Sequence, residues 1–304
     1  RINPSTYDHD KSMRKLIDVV PFGLPSRPPR HRKQVLKGKW PGIAETDKVI
    51  LWGGGIWEWF DPLTLIRAIA EIAPRRPDVK LFFMGKGHFD PSVAPETDMV
   101  GRAIRLAKEL GVLDSAVFFG DWVPYDERES YLLEADLGVS LHFEHLETRF
   151  SFRTRLLDYI WAGLPAVVTE GDNLGDLLVR EGLGRRVRCE DVDAVTEAIV
   201  EMLDDPNLRQ ELAPGFASLA ERFRWERVAQ PIVEFCQQPW TAPDRPWLDV
   251  DVTQPAVKPP PWWTLPAKAW HYLRRGGPAA LWRAAGQYLR WMRIIRRRQS
   301  GEGL

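Results

Sequence analysis

Between Lys48 and Arg188 short apolar runs alternate with longer stretches of helical periodicity, and few architectures accept that alternation. Runs bounded by Gly or polar turns read as strands buried on both faces, whereas apolar residues recurring at i, i+3 and i+4 read as helices. Strands regularly separated by helices imply a parallel sheet covered on both sides. The strands expected are Lys48–Gly53, Val79–Gly85, Ala116–Gly120, Asp136–Leu141, Pro165–Thr169 and Arg185–Arg188. The fold class is therefore α/β, a Rossmann-like parallel sheet of about six strands flanked by helices, followed by a helical tail.

Local signals place the helices. Asp61 and Pro62 open one that runs through Leu65, Ile66, Ile69 and Ala73, and Pro124 stands at the first helical position before YDERESYLLEA. Another begins near Arg153 and ends at Gly163, and two more cover Val192–Leu203 and Leu208–Arg222. Gly111 and Gly163 sit just past helix ends, where a left-handed residue is needed.

Composition narrows the function classes. With 44% hydrophobic and 28% charged residues among 304, the chain is an ordinary globular one, and it contains no apolar run long enough to span a bilayer. Cys189 and Cys236 lie far apart in no CxxC or Cys/His cluster, so neither a disulfide framework nor a zinc site is indicated and a cytoplasmic setting is expected. The formal net charge of zero hides an asymmetry: residues 252–301 hold ten Lys or Arg and no acid, which leaves 32 bases against 42 acids elsewhere. An acidic body argues against nucleic acid as a partner.

In an open parallel sheet ligands bind beyond the carboxyl ends of the strands. The first such loop holds Gly53, Gly54 and Gly55, where missing Cβ atoms let the backbone approach a phosphate. A tight turn explains them equally well, and they do not form the GxGxxG of a nicotinamide-dependent oxidoreductase. The second site is the helix start at Arg153, Thr154 and Arg155, whose unpaired amides and partial positive charge suit a diphosphate. Arg149, Arg153 and Arg155 crowd the first turn against the helix dipole, an arrangement that an anion would relieve. Asp158, four residues after Thr154 on one face, has two carboxylate oxygens for vicinal ribose hydroxyls. The bland alternative is a solvated helix face with local ion pairs.

The segment LLDYIWAGLPAVVT resembles the "LEAMACGxPVVAT" stretch of family-four glycosyltransferases, which use the GT-B fold. VVPFGLP resembles that family's interdomain hinge, and KVILWGGG, VKLFFMGKG, VFFGDWVP and EADLGVSLH resemble four of its strands in order. The resemblance implies the C-terminal, nucleotide-sugar-binding half of such an enzyme, retaining and metal-independent, with no cofactor beyond the donor. Its partners would be a nucleotide sugar and a glycan or lipid-linked acceptor. It places the base at Gly120, Asp121, Trp122 and Val123, although Trp122 reads equally as a core tryptophan. Departures matter too. Phe150 stands eight positions before Asp158 where the family has Glu, so Glu147 becomes the catalytic candidate at the donor sugar. The family's Arg and Lys after the glycines are replaced by GIWEWFDP, leaving Arg153, Arg155 or Lys86 to supply their charge, with Asp61 a helix cap or a lesser donor contact. A non-catalytic sugar-nucleotide-binding or membrane-tethering module is the alternative. His142 and His145 receive no catalytic role.

Four segments follow: residues 1–25 as hinge remnant of an absent acceptor domain, 26–238 as the donor domain, 239–266 as a linker with eight prolines, and 267–304 as a basic tail. Residues 240–304 hold seven of the 14 tryptophans. Leu281, Ala285, Tyr288, Met292 and Ile295 share a helical face opposite Arg283, Arg290 and Arg297, which suits the anionic inner face of a membrane. Docking on the acidic body or on the absent N-terminal domain is the competing explanation for that face, with RNA a distant third.

Overall fold

The computed structural model describes residues 18–86 and 98–239, with scattered positions between 265 and 289. Residues 18–239 form one compact unit. Its six strands are β1 (Lys48–Gly55), β2 (Val79–Gly85), β3 (Val117–Phe119), β4 (Leu137–Ser140), β5 (Ala166–Thr169) and β6 (Gly184–Val187). All pair in parallel, in the order β3-β2-β1-β4-β5-β6. The order reverses between β1 and β4, and such a switch point opens a crevice at the strand ends.

The helices in chain order are α1 (Pro62–Ile72), α2 (Asp98–Glu109), α3 (Arg128–Glu134), α4 (Leu146–Phe150), α5 (Thr154–Ala162), α6 (Asn173–Arg180), α7 (Val192–Asp204), α8 (Leu208–Arg222), α9 (Trp225–Val228) and α10 (Gln230–Gln237). Side chains alternate across each strand, so β1 sends Ile50 and Trp52 to one face and Val49 and Leu51 to the other. The first face packs under α1, α2 and α7, and the second under α3, α5, α6 and α8. A sheet buried on both sides explains why the strands read as continuous apolar runs.

Several boundaries move. The first strand continues past Gly53 to Gly55, which pairs with Gly85 across an irregularity after Trp52. Gly54 makes that irregularity possible with a φ of +96°, so the three glycines end the strand rather than form a loop beyond it. Pro124 caps a short 3-10 turn, Tyr125–Glu127, and α3 starts only at Arg128. Asp61 does cap α1, accepting from the Thr64 amide at 3.0 Å, an interaction worth about 1 kcal/mol. Gly163 closes α5 in the left-handed conformation.

Residues 24–37 are sewn to α3. Glu129, almost fully buried, accepts from Arg27 at 2.7 Å and the Arg30 amide at 3.0 Å and is also paired with Arg32. Burial alone would push this carboxyl up, but those donors outweigh it and hold its pKa at about 2. One turn on, Glu134 takes the amides of Val35, Leu36 and Lys37 at 2.9, 2.7 and 2.9 Å, and His31 at 2.7 Å.

In the tail the described positions are helical, with Trp270 and Trp282 exposed. Met292, Ile295 and every tail arginine lie outside the described residues, as does nearly all of the proline-rich segment.

Candidate functional site

At the switch point the carboxyl ends of β1 and β2, the loop into α1, helix α4 and the start of α5 enclose a pocket of about 310 Å³. Gly53, Gly54, Gly55, Glu147, Arg153, Thr154, Arg155 and Asp158 all line it, so most of the residues picked out from sequence converge. Lys86, Gly120, Trp122 and Val123 are not among its lining residues. The Lys86 ammonium pairs with Asp121 at 3.0 Å, and Trp122 is half exposed on the β3 loop. A larger depression near α9 is lined by Ser26, Glu221, Arg224, Glu226, Arg227 and Gln230, but there Arg224 pairs with Glu221 and Ser26 with Glu226.

The glycines divide their work. The Gly53 amide donates to the Tyr159 hydroxyl at 2.8 Å, so it is already committed. That hydroxyl lies 3.0 and 2.9 Å from the Leu51 and Val139 carbonyls and ties α5 to both strands of the switch point. A Cβ on Gly53 or Gly138 would stand 3.0 or 2.8 Å from the tyrosine ring, so both positions admit Tyr159 rather than a ligand. At Gly54 a Cβ would meet nothing within 4 Å; its constraint is the positive φ.

The cationic wall is built on α5, whose N-cap residue, Arg153, provides no side-chain cap. Its first amides therefore keep their partial positive charge. Arg153 is 6% exposed and holds Glu147 through two hydrogen bonds of 3.2 and 2.7 Å, but its Nε is buried without a partner. Arg155 donates to the Gly55 carbonyl at 2.9 Å and lies 3.9 Å from the Phe60 ring centre and 4.6 Å from that of Trp52. Its Nη1 has no partner, and among the described residues no carboxylate is paired with it. Burial lowers its pKa to about 10, so it is still charged at neutral pH. Asp172 acts on both guanidiniums electrostatically, yet its Oδ1 caps α6 by accepting from Leu174 and Gly175.

Asp158 faces the pocket with one oxygen on Arg128 at 3.0 Å. Burial raises its pKa, and Arg128 only partly offsets that. Arg128 is itself buried, 3.5 Å from the Tyr125 ring centre and 4.8 Å from that of Trp161. Sequence reading missed it, because nothing in DERESY signals a partner 30 residues away. It also missed Tyr159 and the aromatic lining Trp57, Trp59 and Phe60, although the W-E-W alternation was a visible signal. His142 is buried with its pKa lowered by burial to about 4, so it is neutral at pH 7. Among the described residues no group of His, Cys, Asp and Glu is arranged to hold a metal ion.

The family model for "Glycosyl transferases group 1" matches residues 47–205, from the start of β1 to the end of α7. The chain belongs to the group 1 glycosyl transferases. Among curated members, it is 24% identical over 169 residues to a phosphatidyl-myo-inositol mannosyltransferase of Mycolicibacterium smegmatis, covering 56% of this chain and 39% of that one. It is 28% identical over 222 residues to a D-inositol 3-phosphate glycosyltransferase of Acidothermus cellulolyticus, covering 71% and 47%. The chain spans less than half the length of the curated relatives it matches, from 37% to 49%. Among solved structures, sucrose-phosphate synthase of Thermosynechococcus elongatus superposes with a TM-score of 0.55 at 18% identity, covering 76% of this chain and 56% of that one. HepE of Anabaena in complex with UDP gives 0.52 at 18%, covering 63% and 49%. These likenesses establish the fold expected from the motifs, a Rossmann-like half of a GT-B glycosyltransferase.

Proposed function

We propose that this group 1 chain is the donor-binding half of a glycosyltransferase, moving a sugar from a nucleoside-diphosphate sugar to a lipid-linked or surface-polysaccharide acceptor. The observation that carries this function is the pair of buried guanidiniums, Arg153 and Arg155, at the uncapped start of α5 beside the glycine strand end. A buried cation short of acceptors is costly, and a diphosphate in the pocket would satisfy Arg155 Nη1, Arg153 Nε and the helix amides together. As the glycosidic bond breaks, charge develops on the leaving diphosphate, and donors already in place there lower the barrier without reorganising. The scheme gives that task to arginines rather than to a metal, and it includes retention of anomeric configuration.

Asp158 takes the ribose. Arg128 occupies its Oδ1, leaving the other oxygen for hydroxyls. Glu147 is the carboxylate at the donor sugar, held in place by Arg153. The acceptor-binding domain is assigned to the part of the relatives that this chain does not span, so these residues alone should bind donor without transferring it. Calorimetric titration with UDP-glucose and GDP-mannose tests the site: Asp158→Ala should weaken whichever ligand binds by about ten-fold, the scale of a hydrogen bond to a charged group. Unchanged affinity would sink the ribose role. The Glu147–Arg153 pairing is the one observation that favours a binding module without turnover, and measured transfer by the full-length protein removes that reading.

The tail, rich in Trp and Arg, is assigned to an anionic membrane surface on the cytoplasmic side. Deleting residues 262–304 should abolish co-flotation with anionic liposomes, and persistent flotation would refute the assignment.

A further inference from the structure

Two large aromatic side chains at the pocket mouth have no part in holding a diphosphate. Trp57 and Trp59 are 38% and 37% exposed, and their rings stack on one another 5.7 Å apart at 8°. Both line the pocket. The segment that bears them is fixed along its length. Glu58, between them, turns the other way and accepts the Met99 amide at the start of α2 at 3.1 Å. The Phe60 amide donates to the Trp57 carbonyl at 3.0 Å, the Phe143 amide to that of Trp59 at 3.3 Å, and the Asp61 amide to that of Leu141 at 3.0 Å. The Trp57 indole nitrogen lies 3.2 Å from where a Cβ on Gly55 would stand, so the ring sits against the strand end. Trp59 lies 6.1 Å from Phe60, whose ring carries the Arg155 guanidinium. An aromatic surface thus runs from the guanidiniums to the lip of the pocket.

We propose that Trp57 and Trp59 form the platform for the sugar ring of the donor, a pyranose whose diphosphate lies on Arg153, Arg155 and the start of α5; this rests on the donor-site reading above. One face of a pyranose is lined with C–H bonds and packs on the electron-rich face of an indole, while its hydroxyls stay at the edge. Glu147, half exposed on the same pocket, offers a carboxylate to those hydroxyls. A nucleobase also stacks on indoles, but it hangs from the ribose at the other end of the diphosphate. Asp158, the ribose candidate, stands on α5 beside Arg128, whereas the tryptophans stand on the loop after β1. Held backbone at both tryptophans means that the platform exists before the sugar arrives, which is what positions a ring for reaction.

Calorimetry on the full chain with UDP and UDP-glucose, and with GDP and GDP-mannose, reads the sugar's share as the ratio of the two affinities for whichever nucleotide binds. Trp57→Ala and Trp59→Ala should each weaken the sugar nucleotide about five- to ten-fold, the range of one aromatic stacking contact, and leave the nucleoside diphosphate unchanged. Trp57→Phe and Trp59→Phe, which keep a ring and the loop, should retain most of the sugar's share. Equal losses for both ligands would put the base or diphosphate on the rings and overturn the platform. Unchanged affinity for both, or a wild-type chain to which the sugar adds no affinity, would overturn it as well. If none of the four ligands binds the wild-type chain, the donor site itself falls and the platform with it.

Discussion

The clasp on α3 and the wall of the pocket are both made of charged side chains buried against a helix, yet they are finished to different degrees. Glu129 and Glu134 each have several donors aimed at them, and the two arginines on Glu129 reach water on the outer side. Arg153 and Arg155 are short of acceptors, one leaning on an aromatic ring and a single carboxylate, the other on two rings and one carbonyl. Removing one partner of a buried charge whose partners are complete is strongly destabilising, whereas a buried charge already short of partners lowers stability until a ligand supplies them. The contrast separates what holds this chain together from what it holds.

Breaking the clasp should give the larger effect. Glu129→Ala strands the Arg30 amide and frees two arginines, and its cost should fall at the lower end of the range for buried pairs, about 3 kcal/mol, because Arg27 and Arg32 can be solvated. Linkage agrees in size: a carboxyl moving from 4.5 unfolded to about 2 folded stabilises by about 3 kcal/mol at ~1.36 kcal/mol per pKa unit. Since the folded value is the depressed one, that stability is present above pH 4.5 and is lost as pH falls toward about 2. Urea unfolding of the wild type and of Glu129→Gln between those limits should show the wild-type advantage shrinking with acid. A constant difference across that range would mean that the carboxylate charge is not what closes the clasp.

The two regions also differed in how far the sequence disclosed them. Strands β1, β2, β4 and β5 were legible because burial on both faces makes apolar runs that no other element would tolerate, and α7 because Val195, Ala198, Ile199 and Met202 recur at helical spacing. The clasp was invisible. It depends on carboxylates meeting arginines about a hundred residues away, and neither the spacing nor the residue type marks such a pairing. In the pocket, Arg153, Arg155 and Asp158 were legible because they crowd one helix start, where a cation is locally unfavourable. Gly53 lines the pocket, and the sequence did not show that its missing side chain also makes room for Tyr159, a contact 106 residues away. Trp57 and Trp59 entered the sequence reading only as an absence of basic residues. That they face outward and stack could come only from Glu58 pinning the loop to α2.

The smaller effect is the more discriminating one, because it should have opposite signs in two measurements. Arg155→Met keeps an unbranched apolar stem between Phe60 and Trp52 and removes a guanidinium whose pKa burial has already lowered to about 10. Without ligand the variant should be as stable as the wild type or more so, since exchanging an incompletely paired buried charge for a well-packed apolar group is often neutral or stabilising. With ligand it should lose about 2 kcal/mol of nucleotide-diphosphate affinity, the scale of one charge-assisted hydrogen bond, so that the ligand-induced rise in Tm shrinks while the ligand-free Tm does not fall. Thermal unfolding with and without UDP-glucose or GDP-mannose reads both at once. A ligand-free variant that is clearly destabilised would place Arg155 with Glu129 as a structural charge, satisfied by Gly55 and the two rings, and the contrast between the two regions would collapse.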